Sequence, residues 1–159
     1  MPHPSPTPPD AVTWLLQDLA PQSADVASVV QNDTNAWSVS FRDDSQLQVT
    51  WLEGPPRLEL LARITPLDPL VTREVLEGLL MFNLLSADSG GARMALSASD
   101  RCLYLMRDQP LESLNLDGVR NALRSLAGMA QKWREALSAQ DAGKTSSTPF
   151  SSSTQELLP

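Results

Sequence analysis

Three consecutive runs between Trp37 and Ile64 alternate apolar with polar side chains, and this alternation constrains the fold more than any other feature. The runs cover residues 37–41, 47–51 and 58–64, and each places every second side chain on one face of a strand. The segments between them, residues 43–45 and 54–56, consist of Asp, Ser, Gly and Pro, which favour tight turns. We therefore expect an antiparallel meander of three strands with one buried face.

A helix is predicted after Pro66, and its body, residues 70–85, is apolar on nearly all sides. Asp68 is its expected N-cap and Pro69 its first residue, a position where the missing backbone N–H is not needed. Its apolar side chains are Val71, Val75, Leu76, Leu79, Leu80, Met81, Phe82, Leu84 and Leu85. One sheet covers only one flank of such a helix, so we expect a subunit interface to cover the other.

Two further helices are predicted, one at each end of this pattern. The first begins at Asp10, its expected N-cap, and ends before Pro21. Its apolar face consists of Val12, Leu15, Leu16 and Leu19. The last helix follows Asn115, another N-cap residue, and its apolar seam consists of Leu116, Val119, Leu123, Leu126, Ala130, Trp133 and Leu137. Packing of both helices onto the sheet is expected.

Two more strands are predicted at residues 93–98 and 101–107. The second is apolar on both faces, which is typical of a strand covered on both sides. Residues 22–35 permit two interpretations, because Val26, Val29 and Val30 suit either a short strand or a packed loop. The predicted class is therefore α+β, in the order α-β-β-β-α-β-β-α, with a twisted antiparallel five-stranded sheet and three helices.

Composition shifts divide the chain into one domain and two tails. Residues 1–9 alternate proline with small polar residues, and residues 140–159 are rich in serine. Both segments bury too little apolar surface to offset the entropy of ordering, so a disordered head and a disordered tail are predicted. A single domain is expected at residues 10–139.

The charge and the cysteine count exclude several classes of protein. A net charge of −7 repels phosphate backbones and anionic lipids, so neither nucleic acid nor a membrane is an expected partner. No apolar run approaches the length of about 20 residues that a membrane-spanning helix needs, and the N-terminus lacks the pattern of a signal peptide. Because Cys102 is the only cysteine, the reducing cytoplasm is the expected compartment.

No constellation of catalytic residues is visible in the sequence. His3 is the only histidine and belongs to the predicted disordered head. Cys102 lies within an apolar strand, where a thiol usually packs and does not react. Asp43 and Asp44 are adjacent turn residues whose side chains point apart. We expect no enzyme, no metal and no cofactor, although a hydrolase using scattered carboxylates in a deep pocket remains an alternative.

The chain resembles a known family through the order and spacing of its patterns. The matching segments are residues 37–44, 47–49, 79–84, 91–96, 103–105, 110–116 and 133–137. No single segment is specific, and the likeness depends on their order and spacing together with Asn83 and Trp133; it covers about residues 10–137. These segments are similar to those of class I type III secretion chaperones, the Tir-chaperone family.

The resemblance implies a bacterial cytoplasmic protein without catalytic activity. It implies a homodimer that keeps the N-terminal segment of a secreted effector extended, soluble and ready for export, with the secretion ATPase or export machinery as a further candidate partner. Peptide capture of this kind uses apolar grooves and the open edge of a sheet. A non-catalytic adaptor of the same fold, binding a folded regulatory partner, remains an alternative function.

Candidate binding residues follow from these patterns. The candidates for effector contact are Trp14, Leu52, Leu61, Trp37, Val39 and Phe41. The candidates for the dimer interface are Leu76, Leu79, Leu80, Phe82, Leu103 and Leu105. The exposed members of the first group could equally be isolated surface residues, which are common in folded proteins.

Overall fold

A computed structural model describes residues 6–145, and side chains are described for residues 6–139. The helices are α1 (Asp10–Gln22), α2 (Arg73–Leu84) and α3 (Leu116–Thr145). The strands are β1 (Val26–Asp33), β2 (Ala36–Phe41), β3 (Gln46–Leu52), β4 (Arg57–Pro66), β5 (Arg93–Leu96) and β6 (Cys102–Pro110). A short 3-10 turn, Leu111–Ser113, precedes α3. The predicted α+β class and the order of the predicted elements are confirmed.

The sheet has six antiparallel strands in the order β1-β2-β3-β4-β6-β5, where five were predicted. The additional strand is β1, which falls in the segment that the sequence left open between strand and loop. Val26 is buried and Val29 packs against the core, whereas the rest of β1 is partly or fully exposed. Irregular pairing with β2 after Val26 and after Gln31 interrupts the period of two, so the alternation alone could not identify this strand.

All three helices lie against one face of the sheet. α1 packs on β1, α2 packs on β5, and α3 crosses β3, β4 and β6. The core between the two layers is built mainly from the alternating apolar residues of β2, β3 and β4 and from the apolar stripes of α1 and α3. The opposite face of the sheet carries no helix, because the register places polar and half-buried residues there.

The helix boundaries differ from the predictions at four points. Asp10, the expected N-cap of α1, is its first residue, and Pro9 occupies the N-cap position. α2 begins at Arg73, one turn later than predicted, because the Asp68 carboxylate accepts a hydrogen bond from the Leu70 N–H at 2.7 Å and forms a separate turn. Pro21 lies inside the last turn of α1 and not after its end. α3 continues to Thr145, so the predicted domain boundary at residue 139 lies inside a helix.

The predicted N-cap of α3 is confirmed. Asn115 Oδ1 accepts a hydrogen bond from the Gly118 N–H at 2.7 Å, which satisfies a backbone donor in the first turn. The predicted disordered segments lie mostly outside the described residues, at positions 1–5 and 146–159. Within residues 6–145, no helix is both long and apolar enough to cross a membrane.

Candidate partner-binding surfaces

Large exposed apolar side chains are concentrated at the end of the molecule formed by α2 and β5. We call this area the α2–β5 surface, and it consists of Leu70, Leu76, Leu80, Met81, Leu84, Leu85 and Leu96. Leu80 is 70% exposed and Leu84 is 84% exposed. Only one flank of α2 packs inward, with Leu79 buried and Phe82 against the Trp133 ring at 5.5 Å between centroids. The amount of exposed apolar surface is typical of an interaction site.

A groove of about 290 Å³ runs between α2 and the edge of the sheet. Its lining consists of Leu67, Leu76, Leu79, Leu80, Asn83, Met94, Ala95, Leu96 and Leu103. Asn83 connects the two walls of the groove, α2 and β5, by two hydrogen bonds. Its Oδ1 accepts from the Met94 N–H at 2.6 Å, and its Nδ2 donates to the Met94 carbonyl at 3.1 Å. The groove is therefore apolar, open and positioned by a specific contact between α2 and β5.

The interface candidates from the sequence are divided by the structure into three groups. Leu76 and Leu80 are exposed on the α2–β5 surface. Leu79 and Leu103 are buried but line the groove, and Phe82 is half-buried beneath Trp133. Leu105 is fully buried in the core, so its assignment to an interface is corrected. It faces the helices because it is paired with Ala62, a core residue of β4.

Three of the effector-binding candidates are also corrected. Trp37, Val39 and Phe41 are fully buried beneath the helices and contribute to the core. The alternation in β2 correctly separates two faces, but these residues belong to the covered face. Phe41 additionally lies under the Arg124 guanidinium, 5.3 Å from the ring centroid. None of the three is available to a partner while the domain is folded.

The other effector-binding candidates are accessible but lie on two different surfaces. Trp14 is 65% exposed on α1. Leu52 and Leu61 are half-buried on the face of the sheet that has no helix. Val30 is exposed on β1 and was not among the predicted candidates. The signal for Val30 was present in the apolar trio of residues 26, 29 and 30, but its strand was not identified.

The two edges of the sheet differ. β5 lies at one edge, where Asn83 already bonds the outward N–H and carbonyl of Met94. β1 lies at the other edge and pairs only with β2, so its second side has no strand partner within residues 6–145. An unpaired strand edge offers backbone donors and acceptors to an extended peptide.

A second cavity, polar and open, of about 570 Å³, lies between α3 and the turn after β2. Arg124 joins its walls, with Nη1 3.0 Å from the Asp43 carboxylate and Nε 3.5 Å from the Asp25 carboxylate. Hydrogen bonds from Ser45, first of all from its backbone N–H, lower the pKa of Asp43, and Arg124 lowers it further. A general acid needs the opposite shift, so this cavity does not support the hydrolase alternative.

No other part of the described chain offers a stronger catalytic arrangement. The pKa of Asp100 is lowered by hydrogen bonds from the Ser97 hydroxyl and the Cys102 N–H. Cys102 is a free, buried thiol. Among residues 6–145 there is no group of three or more His, Cys, Asp and Glu side chains that could hold a metal ion.

Comparison with known protein families identifies one family. The model of the Tir chaperone protein (CesT) family matches residues 15–134. Among curated protein sequences, none matches this chain. Solved structures with the same fold include three complexes, each at 17% or 18% sequence identity.

The three structures cover most of the chain. The crystal structure of the ExsC–ExsE complex aligns with a TM-score of 0.67 over 82% of this chain and 96% of that one. The HopA1–SchA chaperone–effector complex aligns with a TM-score of 0.64 over 78% of this chain and 93% of that one. The ExoU–SpcU complex from the type III secretion system of Pseudomonas aeruginosa gives 0.51 over 77% and 93%. With the family model matched along nearly the whole domain, the chain belongs to the Tir chaperone protein (CesT) family.

Proposed function

We propose that this protein is a type III secretion chaperone that binds the N-terminal region of a secreted effector and keeps it soluble and export-competent in the bacterial cytoplasm. The observation that carries the proposal is the accessible apolar surface of a folded, acidic member of this family. Two of the similar structures are described as a chaperone–effector complex and as a complex from a type III secretion system. A protein that holds an unfolded segment needs accessible apolar surface for the segment's side chains.

Two surfaces suit such a segment. The open side of β1 can pair with an extended strand, and this edge carries the exposed Val30. The uncovered face of the sheet provides Leu52 and Leu61 for apolar side chains, and Trp14 does so on α1. Because ordering a disordered segment is costly, a long contact over several of these places is expected to be needed for stable binding.

The α2–β5 surface supports a homodimer as the second part of the proposal. Leu76, Leu80, Leu84 and Leu96 form an apolar area beside the groove, and a second copy of the chain would remove this area from water. An isologous dimer needs one self-complementary patch, and a helix with an exposed leucine stripe satisfies this requirement. The dimer would then leave β1 free for the effector, since β1 lies at the opposite end of the sheet.

The test is co-expression of the chain with the N-terminal segment of an effector candidate encoded beside it, followed by light scattering and limited proteolysis. We expect a complex with two copies of this chain and an effector segment that is protected from protease while bound. A wild-type chain that leaves every tested unfolded segment unprotected would refute the proposal. Tight binding of a compact folded regulator in that case would establish the adaptor function instead.

A matched pair of variants makes the experiment specific. Leu61→Gln removes an apolar side chain from the uncovered face of the sheet, whereas Leu111→Gln removes one from the 3-10 turn before α3. We expect capture of the segment to weaken with Leu61→Gln and to remain unchanged with Leu111→Gln. Equal capture by both variants would exclude the uncovered sheet face from the binding surface.

A further inference from the structure

The N-terminal part of the domain has a one-sided charge. Residues 6–41 contain four aspartates and neither lysine nor arginine, and the first basic residue along the chain after position 6 is Arg42. These residues form α1, β1 and β2, at the same end of the sheet as the open edge of β1. Any partner that approaches this end meets negative charge from the residues that build it.

Two of the four aspartates already have bonds within the protein. Asp25 pairs with Arg124, and Asp33 accepts a hydrogen bond from the Thr34 N–H at 2.7 Å. Asp10 and Asp18 on α1 are exposed and have no hydrogen bond or ion pair from their side chains within the described residues. Their charges are therefore available to a partner.

Asp10, Trp14 and Asp18 lie four residues apart and form one stripe along α1. Side chains at this spacing are neighbours, with about 5–6 Å between their Cβ atoms. The stripe points away from the core, since the opposite side of α1 buries Val12 and Leu16. The 65% exposed indole of Trp14 thus has a carboxylate on each side along the helix.

Folding of α1 does not account for this stripe. Asp10 in the first turn suits the positive end of the helix dipole, but Asp18 lies towards the negative end, where no basic residue compensates it. Trp14 adds little to the core because most of its surface remains in water. An aromatic face between two carboxylates is, however, a suitable receptor for a cation.

We propose that the Asp10–Trp14–Asp18 stripe binds an arginine or lysine side chain of the captured effector segment. The cationic group lies over the Trp14 indole and pairs with one carboxylate at a time, because Asp10 and Asp18 are about 12 Å apart along the helix. The inference rests on the proposed function and adds to it a requirement on the cargo, namely a basic residue in the segment that passes over α1. The net charge of −7 favours the same partner over long range.

The expected selectivity is modest and sensitive to salt. An exposed cation–π contact together with one exposed ion pair corresponds to a preference of about five- to tenfold for a cation over a neutral side chain of the same shape. Raising the salt concentration from about 0.05 M to about 0.5 M should remove most of the part that comes from the ion pair.

The first experiment uses the full chain labelled with ¹⁵N and three short peptides of Ser and Val that differ only at the centre, which is arginine, citrulline or glutamate. The chain has four tryptophans, and a Trp14→Leu variant identifies the indole N–H signal of Trp14. We expect the arginine peptide to shift this signal and to bind about five- to tenfold more tightly than the citrulline peptide. No shift, or an equal shift with citrulline, would overturn the proposal.

Two double variants separate the stripe from the general charge of the protein. Asp10→Asn with Asp18→Asn should abolish the preference for arginine over citrulline. Asp88→Asn with Glu112→Gln removes the same amount of charge from the segments after α2 and β6. This double variant should preserve the preference for arginine over citrulline. If the two double variants behave alike, long-range charge explains the binding and the stripe has no specific role.

The same variants distinguish this inference from the proposed function. If the chain captures an effector segment equally well with and without Asp10 and Asp18, the proposed chaperone function stands. The stripe would then not contribute to recognition of the effector segment. A wild-type chain that binds the arginine peptide at Trp14 and captures no effector segment would refute the proposed function and leave the stripe as a cation site.

Discussion

Replacing Leu80 with glutamine tests the proposed dimer most directly. Leu80 is 70% exposed on α2, so its substitution removes little from the core of one protomer. Full burial of a leucine side chain contributes about 1.5–3 kcal/mol, so covering the exposed part of Leu80 contributes about 1–2 kcal/mol. A symmetric dimer contains this contact twice, which gives about 2–4 kcal/mol of association free energy, or about a 30- to 700-fold increase in Kd for Leu80→Gln.

The assay is sedimentation equilibrium over a dilution series, with thermal unfolding measured at a concentration where both proteins are monomeric. Leu111→Gln is the control, because Leu111 is 38% exposed and lies outside the α2–β5 surface. We expect Leu80→Gln to shift the monomer–dimer equilibrium and to change the stability of the monomer by less than about 1 kcal/mol. Leu111→Gln should leave the equilibrium unchanged and lower the stability of the monomer by about 1–2 kcal/mol, because more than half of Leu111 is buried.

Two results would refute the reasoning about Leu80. A wild-type chain that stays monomeric throughout the series would remove the dimer altogether. A Leu80→Gln dimer with the wild-type Kd would show that the dimer uses another surface. A large loss of monomer stability would instead mean that Leu80 packs within the protomer, contrary to its exposure.

Three further substitutions or conditions give definite expectations. Asn83→Ala should lower the free energy of unfolding by about 2–4 kcal/mol, because it leaves the outward N–H and carbonyl of Met94 without their partner. A loss below about 0.5 kcal/mol in urea unfolding would contradict a stabilising role of these two hydrogen bonds. Phe41→Ala should lower the free energy of unfolding by about 3–5 kcal/mol, whereas Phe41→Leu should fold and capture the effector segment normally. A stable Phe41→Leu variant that no longer captures the segment would show that Phe41 contacts the effector. The lowered pKa values of Asp43 and Asp100 contribute stability that is fully present above about pH 4 and is lost as the pH falls through their folded pKa values. Asp43→Asn should therefore make the loss of stability with falling pH less steep. An unchanged dependence of stability on pH would contradict the bonds of Asp43 to Ser45 and Arg124.

The meander of β2, β3 and β4 could be predicted because each strand has one face in the core and one outside, which imposes a period of two on the sequence. β1 could not be predicted in the same way. It lies at an edge, its outer positions need no particular polarity, and irregular pairing shifts its register twice. The two faces of a strand are visible in the sequence, but the side on which the helices lie is not.

The start of α2 shows a second limit. Asp68 and Pro69 form a standard helix-start pattern, but the preceding Leu67 is buried and its N–H bonds to the Arg101 carbonyl. This tertiary contact holds the chain near the sheet, so the helix begins only at Arg73. The all-round apolar pattern of α2 predicts a subunit interface, which stays a prediction, and Leu76 and Leu80 are exposed in the single chain. Leu105, in contrast, is a leucine like the exposed residues of α2, and only its position in the sheet shows that it belongs to the core.

Under the proposed function, the placement of α2 and β1 at opposite ends of the sheet would set a minimum length for an effector segment that pairs with both protomers of a dimer. Six strands at about 4.8 Å spacing put β1 about 24 Å from β5. In a dimer joined through α2, the two β1 edges would then lie roughly 60 Å apart once the thickness of the joining helices is included. An extended chain advances about 3.3 Å per residue, so a single effector segment that pairs with both edges needs roughly 18 residues between its two pairing sites. A shorter effector segment can occupy only one protomer, and two copies of it would bind per dimer.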